Sequence, residues 1–166
     1  TAILRASTLH KDSLIIGFFG NLRKVKEPLL FVRSIIELEA IIDKSIVAAI
    51  FGEDRENYRT QMNSEIKARN FSGKLLFSRF RRPIEPWVAA CDIVVTTSSA
   101  DAFGRVIIEA MSVGTPVVAT DSGGHSEIIE SGRNGILVPF GEPQSIAYSI
   151  KMLLDSELKR QQIINC

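Results

Sequence analysis

Asp92-Ile-Val-Val-Thr-Thr97-Ser-Ser-Ala-Asp101-Ala-Phe-Gly104-Arg-Val-Ile-Ile-Glu109-Ala-Met-Ser-Val-Gly114-Thr-Pro-Val-Val-Ala119 reads as strand, loop, helix and strand. The first run, 92–97, is rich in β-branched residues and too apolar for a strand with one wet face, so it predicts a strand covered on both sides. Helical period follows over 104–113 and stops at Gly114. A second buried run, 115–119, comes next. A buried strand that reaches another through a helix is a parallel crossover unit. The same unit recurs outward in both directions. Apolar runs at 14–19, 45–51, 74–77 and 135–138 complete six buried strands. Leu29, Val32, Ile35 and Ile36 recur at helix spacing behind Pro28, which suits a first turn. Further helices are predicted over 56–70, 84–91, 126–131 and 143–154, with one more in the tail from Ser156. This alternation predicts an α/β domain with a doubly wound, mainly parallel six-stranded sheet and helices on both faces.

At 166 residues the chain suits one domain, 1–166. Its 20 basic residues nearly cancel 19 acidic ones, leaving a net charge of +1 that draws neither nucleic acid nor an anionic membrane. Apolar residues make up 45% of the chain, yet no run approaches the roughly 20 needed to span a bilayer. Residues 1–11 lack the apolar stretch of a signal peptide, so a cytoplasmic location is expected. The start at Thr1 instead of Met suggests the C-terminal part of a longer protein. Cys91 and Cys166 stand far apart with no metal-ligand spacing, so neither disulfide nor zinc is expected. Cys91 reads as packed and Cys166 as exposed.

Ligands of such sheets gather beyond the carboxyl ends of the strands, where the chemical motifs of this chain fall. A helix opening near 103–105 presents free N–H groups, a setting that favours phosphate. Asp101 in the loop and Glu109 one turn into the helix can flank one ligand and accept bonds from sugar hydroxyls. Glu109 sits in Val-Ile-Ile-Glu-Ala-Met, where a carboxylate is costly unless it is bonded. The first loop, Gly17-Phe-Phe-Gly20-Asn21-Leu22-Arg23-Lys24-Val25-Lys26-Glu27, has neither the dinucleotide glycine pattern nor the Gly-Lys-Ser/Thr of a P-loop. Gly20 lets backbone approach a ligand there and Lys26 offers a mobile charge, although solvated loop lysines are the plainer reading. In Ser122-Gly-Gly-His-Ser-Glu127 the paired glycines can bring backbone close to a bound group, and His125 reads as a cap or packing residue. Arg79, Arg81 and Arg82 read as a solvated or domain-facing cluster. Trp87, Ile84 and Val88 read as core.

Taken together, these residues resemble the C-terminal domain of glycosyltransferase family 4, enzymes built from two Rossmann-like domains in the GT-B fold. The resemblance runs from about Ile15 to Leu154. It is carried by Asp101-x7-Glu109, Gly114-Thr-Pro-Val-Val118 and Gly123-Gly-His-Ser-Glu127. It implies that the chain binds a nucleotide-diphosphate sugar as donor, without cofactor or metal. Glu109 would bond the ribose. Asp101, with the backbone of Ala102, Phe103 and Gly104, would contact the sugar. Gly104, Arg105 and Val106 would present N–H groups to the diphosphate, joined by Gly20 and Lys26. Asn21 stands where the family carries an arginine, and Arg105 is expected to substitute for it. The loop with Arg79 and Phe80 corresponds to the segment that reads the nucleobase. Asp101 also replaces the usual glutamate, shortening its reach by one methylene.

The resemblance further implies a retaining hexosyltransferase in which Asp101, Glu109 and Lys26 carry the chemistry. Its partners would be its own N-terminal domain, absent from this chain, and an acceptor glycan or lipid. Surface polysaccharide or glycolipid synthesis at the inner membrane face is the expected setting, with peripheral membrane association through the absent domain. The alternative is a nucleotide-sugar-binding module without catalysis. A third reading, a sugar-nucleotide epimerase or a phosphorylase, fits the acidic and lysine pattern less well.

Overall fold

The computed structural model describes residues 13–165, so the readings of residues 1–11 and of Cys166 lie outside the described residues. Six parallel strands form one sheet in the order β3-β2-β1-β4-β5-β6: β1 Leu14–Phe19, β2 Ile46–Phe51, β3 Lys74–Ser78, β4 Ile93–Thr96, β5 Val117–Thr120 and β6 Ile136–Val138. The helices are α1 Pro28–Glu39, α2 Tyr58–Ala68, α3 Glu85–Val88, α4 Arg105–Ser112, α5 His125–Ile128, α6 Pro143–Asp155 and α7 Glu157–Ile164. The doubly wound reading of the sequence is the fold observed.

Successive residues of a strand point to opposite faces, and both faces here are dry. Leu14, Ile16 and Phe18 join Phe31, Ile35, Ile146 and Ile150 in one core, beneath α1 and α6. Ile15 and Phe19 join Val88, Ile107 and Ala110 in the other, beneath α3 and α4. That is why β1 reads as an unbroken apolar run. Cys91 is buried in the second core, with the Trp87 carbonyl oxygen 3.4 Å from its Sγ.

Three local details differ from the sequence reading. β3 is half-buried along its length because it forms an edge of the sheet. The helices expected over 84–91 and 126–131 are single turns, Glu85–Val88 and His125–Ile128. In the first case the chain must turn at once to enter β4, and in the second Ile129 is already extended. A 3-10 turn, Lys24–Lys26, stands ahead of α1. The start of α2 is held from outside the helix: Asp54 accepts the N–H of Tyr58 at 2.9 Å on Oδ1 and that of Arg59 at 2.9 Å on Oδ2.

Candidate functional site

Strand order decides which loops meet. β1 and β4 are neighbours from which the chain winds outward in opposite directions, so a crevice opens beyond their carboxyl ends. It holds a cleft of about 900 Å³.

One wall is the loop after β1. Gly20 N–H donates to Phe51 O at 2.9 Å and Leu22 N–H to Glu53 O at 2.8 Å. Asn21 Oδ1 accepts the Glu53 N–H at 3.1 Å, which commits this side chain to tying two loops together. Thr97 Oγ1 lies 2.8 Å from Lys26 O, and Ser99 N–H donates to Val25 O at 2.9 Å. Two residues beyond β4 thus fix the turn that carries Lys26. The Lys26 ammonium donates to Asp101 Oδ2.

The facing wall is the loop after β4 and the first turns of α4. Gly124 N–H donates to Asp101 O at 2.8 Å. Gly123 has φ +56, and a Cβ there would lie 2.3 Å from that same carbonyl oxygen. Only glycine permits this approach. Along α4, Ile107 and Ala110 turn into the core while Arg105, Val106 and Glu109 line the cleft. The N–H groups of Arg105 and Val106 open the helix and have no intrahelical partner. The Glu109 side chain lines the cleft half-buried and makes no ion pair or hydrogen bond among the described residues.

Of the residues singled out by sequence, Gly20, Asn21 and Lys26 line one side of the cleft. Asp101, Ala102, Phe103, Arg105, Val106 and Glu109 line the other, and Phe80 also belongs to the lining. Two do not reach it. Arg79 is exposed outside the lining, and Gly104 is buried beneath it, its N–H directed to the Asp101 carboxylate and not toward a ligand. The reason is the tight turn at the head of α4: Asp101 bonds the N–H groups of Phe103 and Gly104. Arg82, read from sequence as part of a solvated or domain-facing cluster, lines the cleft, as do Arg23 and Arg55, to which the sequence reading gave no role. Their position just beyond β1, β2 and β3 was the available signal. Arg55 is held by Glu53 at 2.7 Å, and Arg82 lies 5.8 Å from the Phe80 ring centre.

Burial pushes the Asp101 carboxyl upward, but the Lys26 ammonium and the Phe103 and Gly104 N–H groups outweigh it and hold the carboxyl below the usual range. A carboxyl lowered on folding adds stability above its unfolded value of about 4, and that stability is lost as pH falls through the native value. Acid unfolding of Asp101→Asn should therefore be less steep below about pH 4 than that of the parent chain, with the two differing most near neutrality. Parallel acid-unfolding curves would show that the pair adds no stability.

His125, read from sequence as a cap or packing residue, is wholly buried under this loop. Its Nδ1 lies 2.8 Å from Thr120 O and its Nε2 lies 3.8 Å from Asp101 Oδ2.

Residues 1–165 match the family described as glycosyl transferases group 1. A D-inositol 3-phosphate glycosyltransferase of Catenulispora acidiphila is 32% identical over 89% of this chain and 36% of its own length. The crystal structure of Anabaena HepE in complex with UDP-glucose aligns with a TM-score of 0.88 at 30% identity, over 98% of this chain and 45% of that one. A C-terminal domain of a group 1 glycosyl transferase, LpcC of Francisella tularensis, aligns with a TM-score of 0.81 at 29% identity, over 91% of this chain and 80% of that one. The chain spans about a third of the length of the curated relatives it matches. Among the described residues no helix is long and apolar enough to cross a membrane.

Proposed function

The chain belongs to the glycosyl transferases group 1 family, and from that membership we propose that its cleft binds a nucleoside-diphosphate sugar for retaining transfer, in the manner of family 4. The observation that carries this reading is the convergence of Lys26, Asp101, Glu109 and the head of α4 on one cleft. As the glycosidic bond breaks, negative charge builds on the diphosphate. Lys26 and the N–H groups of Arg105 and Val106 are placed to stabilise it, with Arg105 supplying a second cation. Glu109, with no competing partner among the described residues, accepts from the ribose hydroxyls. Asp101 accepts from the sugar. Phe80 and its loop meet the nucleobase, and the acceptor and its own binding groups belong to a further N-terminal domain. The UDP-glucose complex of the HepE neighbour supports this class of donor. The whole protein would then act in surface polysaccharide or glycolipid synthesis at the inner face of the membrane.

Calorimetry of the chain against UDP, GDP and ADP sugars and the bare diphosphates tests the reading. One base should be preferred, and Asp101→Ala should narrow the gap between nucleotide sugar and bare nucleotide. A folded chain that binds none of the panel would defeat it. The commitment of the Asn21 amide to Glu53 favours one other reading, a binding module without catalysis. Transfer by this chain joined to its upstream half would exclude that.

A further inference from the structure

Among the described residues His125 is the one histidine, lysine, arginine or carboxylate with a fully buried side chain. The Thr120 carbonyl oxygen can only accept, so Nδ1 carries a proton. Nε2 is left buried without a hydrogen-bond partner, directed at Asp101 Oδ2 from 3.8 Å. The ring packs under the head of α4, where a Cβ on Gly104 would come within 3.0 Å of its Cδ2, so glycine there leaves the ring its room. Lys26 holds the same Oδ2 from the cleft side. One carboxylate oxygen therefore faces two nitrogens, one part-exposed on the cleft side and the other buried.

We propose that His125 is a positioning residue for Asp101, taking over its carboxylate when Lys26 turns to a bound diphosphate. The proposal rests on the reading of the cleft as a diphosphate-sugar site. In the free chain Lys26 neutralises Asp101, and His125 Nε2 faces the same carboxylate oxygen without bonding it. Once Lys26 pairs with phosphate, the Asp101 carboxylate, only 17% exposed, would be left without a cation beside new negative charge. Nε2 then takes a proton from solvent and donates it in a charge-assisted bond to Oδ2, closing to about 2.8 Å. The added proton balances the charge that Lys26 withdraws, and Asp101 stays aimed at the sugar. The other charged groups on the surrounding elements are Glu127 on α5, Arg105 and Glu109 on α4, and Asp121 in the preceding loop. None of these carboxylates reaches ion-pairing distance of His125.

Two measurements test this. The first needs no donor: the imidazole NMR titration of His125, assigned by comparison with His125→Gln because the chain has two histidines. Lys26→Met should raise the His125 midpoint by about one pH unit or more, a tenfold gain in protonation at a given pH. An unchanged midpoint overturns the proposal. The second is calorimetry of UDP, GDP and ADP in buffers of different ionisation enthalpy. The parent chain should take up more protons on binding than His125→Gln, and equal uptake overturns the proposal. No heat with any of the three nucleotides defeats the donor reading, and with it the donor-linked step. The NMR response still reports whether Lys26 and His125 share Asp101.

Discussion

Lys26→Ala should weaken binding of a nucleoside-diphosphate sugar by roughly 10- to 100-fold, the effect of a charge-assisted hydrogen bond worth about 1.5–3 kcal/mol. The loss has two sources. The diphosphate loses its cation, and Asp101 loses the ammonium that neutralises it from the cleft side in the free chain. Arg105→Ala should cost less, because Arg105 is exposed at the head of α4 and pairs with no acid among the described residues. A basic side chain in the first turn of a helix is otherwise unfavourable by about 0.3–1 kcal/mol. Its presence there is explained if it meets an anion, in place of the arginine that the resemblance to family 4 leads one to expect at Asn21. Calorimetry at two salt concentrations measures both variants, and both contributions should shrink at high salt. A large loss for Lys26→Ala with none for Arg105→Ala would remove Arg105 from the diphosphate site.

Gly123→Ala should damage fold and site together. The residue has φ +56, and its new Cβ would lie 2.3 Å from Asp101 O and 2.8 Å from Asp101 N. Backbone cannot yield as a side-chain tip does. The conformational cost of about 1–2 kcal/mol and an overpacking cost of about 1–3 kcal/mol combine to lower Tm by roughly 5–15 °C in a domain of this size. Relief comes only by moving the Asp101 loop, so sugar binding should fall further than stability alone explains. Gly132→Ala is the control: φ there is +85, but a Cβ would meet nothing within 4 Å. It should show the conformational cost alone, with donor binding intact. Equal Tm losses in the two variants would mean that the close approach of Gly123 to Asp101 is not felt.

Much of the architecture was legible in residue order because burial on both faces leaves a continuous apolar signature, as in 14–19 and 46–51. The single-turn helices were overread. Ile84, Trp87 and Val88 stand at helical spacing, but periodicity cannot show how soon the chain must turn into the next strand. Asp101 and Glu109 were legible as a pair because they flank the head of one helix, Asp101 in the loop before it and Glu109 one turn in. Arg23, Arg55 and Arg82 were not, since exposed loop cations carry no periodic mark.

Short-range spacing was enough for the strands, the helix after Gly104 and the acidic pair, since each depends on residues close together in the chain. It takes the assembled fold to bring Lys26 to Asp101 across 75 positions of sequence and to bury His125 behind the same carboxylate. Those contacts follow from sheet order, which places β1 beside β4 and β4 beside β5. Sheet order is settled by how whole faces pack and by the handedness of the crossovers, quantities that no single stretch of sequence contains.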